Sequence, residues 1–239
     1  VGSEMCIRDR VLSVLSCFGC SSPVHEDDRG CAFVSDSIQY RVEFMSAGCV
    51  RILSFPEGDT LVTKRLVVDS EKPTFKDYKW EDTGQKLLFR TRELSVVFDK
   101  ADAAFIFQET STGKLLLKEK GDRKARNFKR SVAGGEQCLE VTQRFVPTED
   151  EAIYGLGQYQ NGIMNYRGKS VLLLQANMDI VNPFLISTNG YGVLWDNYSS
   201  TKFEDTKEGY SFTSEVGDAS DYYFVYGKNC LLYTSDAAD

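Results

Sequence analysis

The stretch Ala103–Glu119, AAFIFQETSTGKLLLKE, carries two short apolar runs divided by Ser111-Thr112-Gly113-Lys114. Each run is too short to be a helix with one buried face, and a glycine stands where a tight reversal needs positive φ. The stretch therefore predicts a β-hairpin. The same period of two continues outward on both sides. Upstream, Ile38, Tyr40, Val42 and Phe44 alternate with polar neighbours, Val50 and Ile52 follow a Gly-containing turn, and Leu87, Phe89 and Thr91 lead on to Val96 and Phe98. Downstream, strands are expected at Leu139–Phe145, Val171–Gln175, Phe184–Thr188, Gly192–Asp196 and Tyr222–Tyr226. No segment offers four turns of amphipathic helix, so the expected fold class is all-β, an antiparallel β-sandwich.

Composition narrows the function classes. The formal charge is −7, and it falls to about −5 without the C-terminal Asp236 and Asp239. A mildly acidic chain with no basic stripe is a poor match to nucleic acid. Its densest basic patch, Lys118–Arg130, reads as a solvated loop. No window holds the 18 or more apolar residues of a spanning helix. His25 is the single histidine and lies in a polar, loop-like segment, so neither a His-based metal site nor a Ser-His-Asp arrangement is expected. Among seven cysteines, Cys31, Cys49 and Cys138 are too dispersed for a disulfide framework or zinc site and read as packing residues. No cofactor or metal is expected.

The two ends differ from the body. Met5–Arg10, MCIRDR, and Cys230–Ser235, CLLYTS, can be translated from opposite strands of one short DNA element. They resemble the transposon adapters of sequencing libraries, and residues 1–10 and 230–239 are set aside from the fold on that ground. Residues 11–30 read as the remnant of an export signal and a linker. Val14-Leu15-Ser16-Cys17 resembles a lipobox, with Cys17, or less favourably Cys20, as the lipid-anchored residue of an exported, periplasmic or cell-surface protein. The domain proper is expected over 31–229.

Gly155-Leu156-Gly157 lacks both the third glycine and the following helix of a phosphate loop, so its glycines read as a tight bend after a strand. Asn189-Gly190 reads as a hairpin turn, and Tyr191 and Trp195 as core. The segment QANMDIVNPF, Gln175–Phe184, interrupts two apolar runs with polar residues. From the residues alone, Asn177 and Asp179 form either an Asx-type turn or a ligand contact.

Tyr154-Gly155-Leu156-Gly157, Arg167-Gly168, Asn177-x-Asp179, Pro183-Phe184, the run Ser187–Gly192 and Asp221-Tyr222-Tyr223 together resemble the N-terminal domain of glycoside hydrolase family 31, the α-glucosidases and α-xylosidases. YGLGQYQNGIMNYRG with its QxNM loop is most similar to the bacterial α-xylosidase branch. The resemblance implies a galactose-mutarotase-like sandwich packed on a (β/α)8 catalytic barrel that begins after this chain. It implies retaining hydrolysis by two barrel aspartates, so no catalytic residue is assigned here. It also implies a loop over the barrel mouth, with Asp179 and, in support, Asn177 contacting an α-linked oligosaccharide. Ala176 departs from the aromatic residue often found at that place, which leaves the subsite identity open. The alternative is a free-standing carbohydrate-binding or mutarotase-like sandwich, which would need its own acid/base pair.

Overall fold

The computed structural model describes residues 23–59, 61 and 75–227. The expected adapter segments, Cys17 and Cys20 lie outside the described residues. Every regular element among the described residues is a β-strand, and the strands form two antiparallel sheets. The first sheet runs in the order β1 (His25–Glu26), β2 (Cys31–Ser35), β3 (Ile38–Ser46), β4 (Cys49–Pro56), β18 (Ser220–Tyr226), β15 (Tyr191–Trp195), β14 (Ile180–Ser187), β12 (Ile153–Gln158). The second runs β13 (Ser170–Leu173), β16 (Thr201–Thr206), β17 (Gly209–Gly217), β11 (Glu136–Val146), β9 (Leu115–Glu119), β8 (Ala104–Glu109), β7 (Leu94–Asp99), β6 (Lys86–Arg90), β5 (Lys79–Asp82), with β10 (Arg126–Ala133) paired to β11 beside that path. No helix of the described residues is long and apolar enough to cross a membrane.

The sheets face each other across one aromatic core, as period-two strands must when each sheet has an apolar face to bury. Phe107 on β8 stacks on Phe224 on β18 at 4.2 Å, Phe33 on β2 meets Phe98 on β7 at 4.8 Å, and Trp195 on β15 stacks on Phe212 on β17 at 5.6 Å. Tyr191 and Trp195 are fully buried, as expected, and the indole N–H donates to Ser214 Oγ at 2.9 Å. The Ala103–Glu119 hairpin forms as β8 and β9, closed by Glu109 N–H to Lys114 C=O at 3.0 Å with Gly113 at φ 73°. Asn189-Gly190 closes β14 onto β15, and the Asn189 side chain donates to the carbonyls of Leu115 and Leu116 across the sandwich. Cys31 is buried, Cys49 and Cys138 are half-buried, and none of the three is in a disulfide.

Several expectations need correction. Lys118–Arg130 is not a solvated loop: Arg126 opens β10, and its guanidinium is buried against Glu119. Charge density hid this, because β10 sits at the side of its sheet and shows its other basic residues to water while Arg126 alone turns inward. His25 is not in a loop, since it pairs with Ala32 in the short β1, so the sheet starts ahead of Cys31. The β16–β17 hairpin was missed although Phe203, Asp205, Tyr210, Phe212 and Ser214 keep the period of two.

Glu119 ties the two sheets together. Its Oε1 accepts from Gln143 Nε2 at 2.8 Å and from Tyr222 O–H at 2.9 Å, while Oε2 accepts from the Phe105 N–H at 2.7 Å and from Arg126. Arg126 also donates to Tyr40 Oη at 2.8 Å, so residues of both sheets meet on one carboxylate. A buried charge is tolerable when opposite charge and donors surround it this closely.

Candidate functional site

β12 and β14 are held in an irregular register by two glycines. Gly155 and Gly157 adopt φ 98° and 116°, and a Cβ at Gly157 would lie 2.1 Å from the Ile180 carbonyl oxygen. Leu156 between them, at φ 65°, turns fully into the core. The pairing of β12 with β14 shifts between Gly155 and Gly157. The glycines therefore lie inside a bulged strand rather than after it, and they serve close backbone approach, not phosphate binding.

After β12 the chain makes an excursion, Tyr159–Lys169, fastened by backbone and side-chain bonds. Tyr166 N–H donates to Ile153 C=O at 2.8 Å, and Asn165 Oδ1 accepts from Ile153 N–H at 3.1 Å. Asp205 Oδ2 accepts from Gly168 N–H at 2.6 Å and lies 3.5 Å from Arg167 Nε. The Arg167-Gly168 pair is thus a clamp on β16. A shallow pocket of about 320 Å³ opens between β12 and this excursion, lined by Tyr154, Tyr159, Met164 and Tyr166 among others.

From β13 the chain leaves the second sheet and turns at Ala176–Asp179 before entering β14 in the first. Asp179 N–H donates to Ala176 C=O at 3.3 Å, with Met178 at φ 78° in the turn's third position, where glycine or asparagine is favoured. The base of the turn is stapled by Gln175, whose Nε2 donates to Asp179 C=O at 3.0 Å and whose Oε1 accepts from Val181 N–H at 3.1 Å. Sequence reading places Gln175 at the end of an expected strand and at the start of the polar interruption, but gives it no bonding role, which depends on the backbone it reaches across the turn.

Asn177 and Asp179 therefore sit in one turn. Asn177 is exposed and Asp179 half-buried. Among the described residues, no hydrogen bond or ion pair engages either side chain; the Asx-type contact that would make them turn residues is not formed, and Gln175 does that work. The Asp179 charge is close enough to act on Tyr159. Burial foremost, then Tyr166 and Asp179, push the Tyr159 phenol up to about 12. Among the described residues the Asp179 carboxylate is therefore left to the solvent side of the turn.

The model of the glycosyl hydrolase 31 N-terminal galactose mutarotase-like domain matches residues 39–204. The chain belongs to this family. An α-xylosidase of Saccharolobus solfataricus is 32% identical over 206 residues, which is 80% of this chain but 26% of that protein. A family 31 α-xylosidase of Xanthomonas citri aligns at 30% identity over 77% of this chain and 20% of its own, with a TM-score of 0.65. A family 31 α-xylosidase from a soil metagenome, complexed with xylose, aligns with a TM-score of 0.73 at 23% identity over 87% of this chain and 33% of its own. The chain spans between a fifth and a third of the length of these relatives.

Within the family 31 N-terminal domain, the last motif is explained by packing. Tyr222 reaches Glu119 in the core, while Asp221 on the opposite face of β18 accepts from Arg51 Nε at 2.7 Å. Arg51 Nη1 donates in turn to Glu43 at 2.9 Å. Burial pushes the Asp221 carboxyl up to about 6 against the pull of Arg51. No group of three His, Cys, Asp or Glu residues that could hold a metal ion is found among the described residues.

Proposed function

We propose that this chain is the N-terminal accessory domain of a retaining α-glycosidase, an α-xylosidase ahead of an α-glucosidase, that packs on a (β/α)8 catalytic barrel in the rest of the parent polypeptide. The exposure pattern of one segment carries the reading. Tyr154, Met164, Leu172, Leu174, Met178 and Ile180 are all large apolar residues facing water, and they fall within one excursion-and-turn region at the free edges of both sheets. Met164 is 78% and Met178 64% exposed. Six exposed apolar residues concentrated in one region call for a covering surface. The proposed barrel, in a parent longer than this chain as the relatives are, would be that surface.

In that arrangement the Ala176–Asp179 turn lies over the barrel mouth. Asp179 accepts hydrogen bonds from the hydroxyls of an α-linked oligosaccharide, held in place by a barrel cation, and Asn177 supports it. Retention of configuration needs two carboxyl groups about 5–5.5 Å apart on either side of the scissile bond, and both belong to the barrel. The domain orients substrate without cutting it. A mutarotase-like reading would need an acid/base pair of its own, yet the single histidine lies on the exposed edge strand β1.

The test is an assay of the isolated chain on aryl α-xyloside and α-glucoside. No turnover is expected. Turnover lost on replacing a carboxylate within 31–227 would show that the sandwich has chemistry of its own. The proposed export of the parent as a lipoprotein is tested separately, by palmitate labelling in a bacterial host: incorporation should disappear in Cys17→Ser, and its persistence there with loss in Cys20→Ser would move the anchor.

A further inference from the structure

A second polar site lies at the same end of the sandwich as the Ala176–Asp179 turn. Leu173, the last residue of β13, pairs with Thr201, the first of β16, so the segment after Leu173 and the segment before Thr201 leave the sheets together. Residues 196–200 and the β17–β18 turn enclose a pocket of about 270 Å³ whose lining includes Arg51, Asp196, Ser199, Asp218 and Asp221. Its walls are fixed. Asn197 Nδ2 donates to Val216 C=O at 3.0 Å, Ser199 O–H donates to the same carbonyl at 2.8 Å, and Ser199 N–H donates to Asn197 Oδ1 at 2.8 Å.

Asp196 is the unexplained member. Its residue is 8% exposed, its Oδ1 is buried without a hydrogen-bond partner, and among the described residues no cation pairs with it. Arg51, the cation in the lining, is committed to Asp221 and Glu43. A buried carboxylate oxygen left unpaired is costly, and natural folds keep such a group where something else completes it. The Asp196 backbone N–H donates to Asp221 C=O at 2.9 Å, just past the end of β15, which sets the two residues side by side. Like charges set this close oppose each other, and burial, with Asp196 beside it, holds the Asp221 carboxyl above the usual carboxylate range against Arg51.

We infer that this pocket is a socket for a cationic side chain, a lysine or arginine presented by the catalytic portion of the parent. A neutral hydroxyl would fill the hydrogen bond and leave the charge uncompensated, whereas an ammonium or guanidinium supplies both. A metal ion is disfavoured because the described carboxylates do not converge as a ligand set. Leu53, Leu61, Val216 and Ala219 give the pocket an apolar side suited to the methylene stem of a long basic residue. The inference rests on the proposed docking for its occupant, but not for the chemistry of the pocket, and the two fail differently.

The test titrates the isolated chain with arginine amide and, separately, with xylose, following backbone amide resonances of residues 196–199 and 216–219. Arginine amide should shift them saturably, xylose should leave them in place, and Asp196→Asn should weaken the arginine amide response about tenfold or more. Asp196→Asn should also melt at the same temperature as the parent chain or higher, because it removes an unpaired charge; a structural aspartate would lose stability. Shifts driven by xylose alone, no shift with either probe, or a lower melting temperature for Asp196→Asn would each overturn the socket. None of those outcomes touches the inactivity expected of the isolated chain.

Discussion

Two carboxylates separate this molecule into what holds it and what it offers. Glu119 lies between the sheets with two donors on each oxygen, drawn from β8, β10, β11 and β18. Asp179 lies in a turn between the sheets' free edges with no donor to its side chain among the described residues, while a neighbouring glutamine does the local bonding. The contrast extends to the apolar residues. Around Glu119 they are fully buried, and around Asp179 they face water. A carboxylate whose bonding is complete inside the domain reports on folding, and one whose bonding is left open reports on what the domain meets.

The contrast breaks first if Glu119 proves dispensable. Glu119→Ala leaves the Arg126 guanidinium buried without its partner, and the expected loss is about 3–5 kcal/mol, read as the midpoint of urea unfolding. A loss under about 1 kcal/mol would mean that the inter-sheet knot is ornamental. Gly157→Ala comes next. The added Cβ would meet the Ile180 carbonyl at 2.1 Å in a φ of 116°, and the strain should cost about 1–3 kcal/mol. Gly162→Ala, at φ 68° in open space, is the control for backbone strain alone and should cost less in the same urea titration.

Met178 sharpens the other half. A long side chain held at φ 78° and largely exposed is unfavourable for the isolated domain, by about 1–2 kcal/mol of backbone strain. Part of that returns as chain entropy when glycine is substituted, so Met178→Gly should raise stability by roughly 0.5 kcal/mol. Differential scanning calorimetry would show the small rise. A clear fall would indicate that Met178 packs within the domain rather than against a partner.

Much of this was legible in the residues because the sandwich obeys a single rule, alternation with period two. The Ala103–Glu119 hairpin, the Asn189-Gly190 turn and the buried Tyr191 and Trp195 all follow from it. What escaped was set by partners distant in sequence. Arg126 looks like one more charge in a basic run until Glu119 and Tyr40 are placed around it. Gly155 and Gly157 read as a bend because nothing local reveals that Phe184 and Ile180 press on them. The turn at Asn177 and Asp179 could be located from sequence, but whether its side chains bonded inward depended on Gln175. Asp196, within a motif that reads as strand and core, gave no sign that its carboxylate would be left unpaired.

The most direct test measures Asp179→Ala twice. In this chain its thermal and urea unfolding should match the unsubstituted chain within about 0.5 kcal/mol, since no bond inside the domain is lost. In the full-length parent, the same substitution should lower kcat/KM on an α-linked disaccharide by about one to two powers of ten, the worth of a charge-assisted hydrogen bond of roughly 1.5–3 kcal/mol. An Asp179→Ala enzyme that keeps its kcat/KM while the isolated domain melts earlier would contradict the assignment and return the turn to the scaffold.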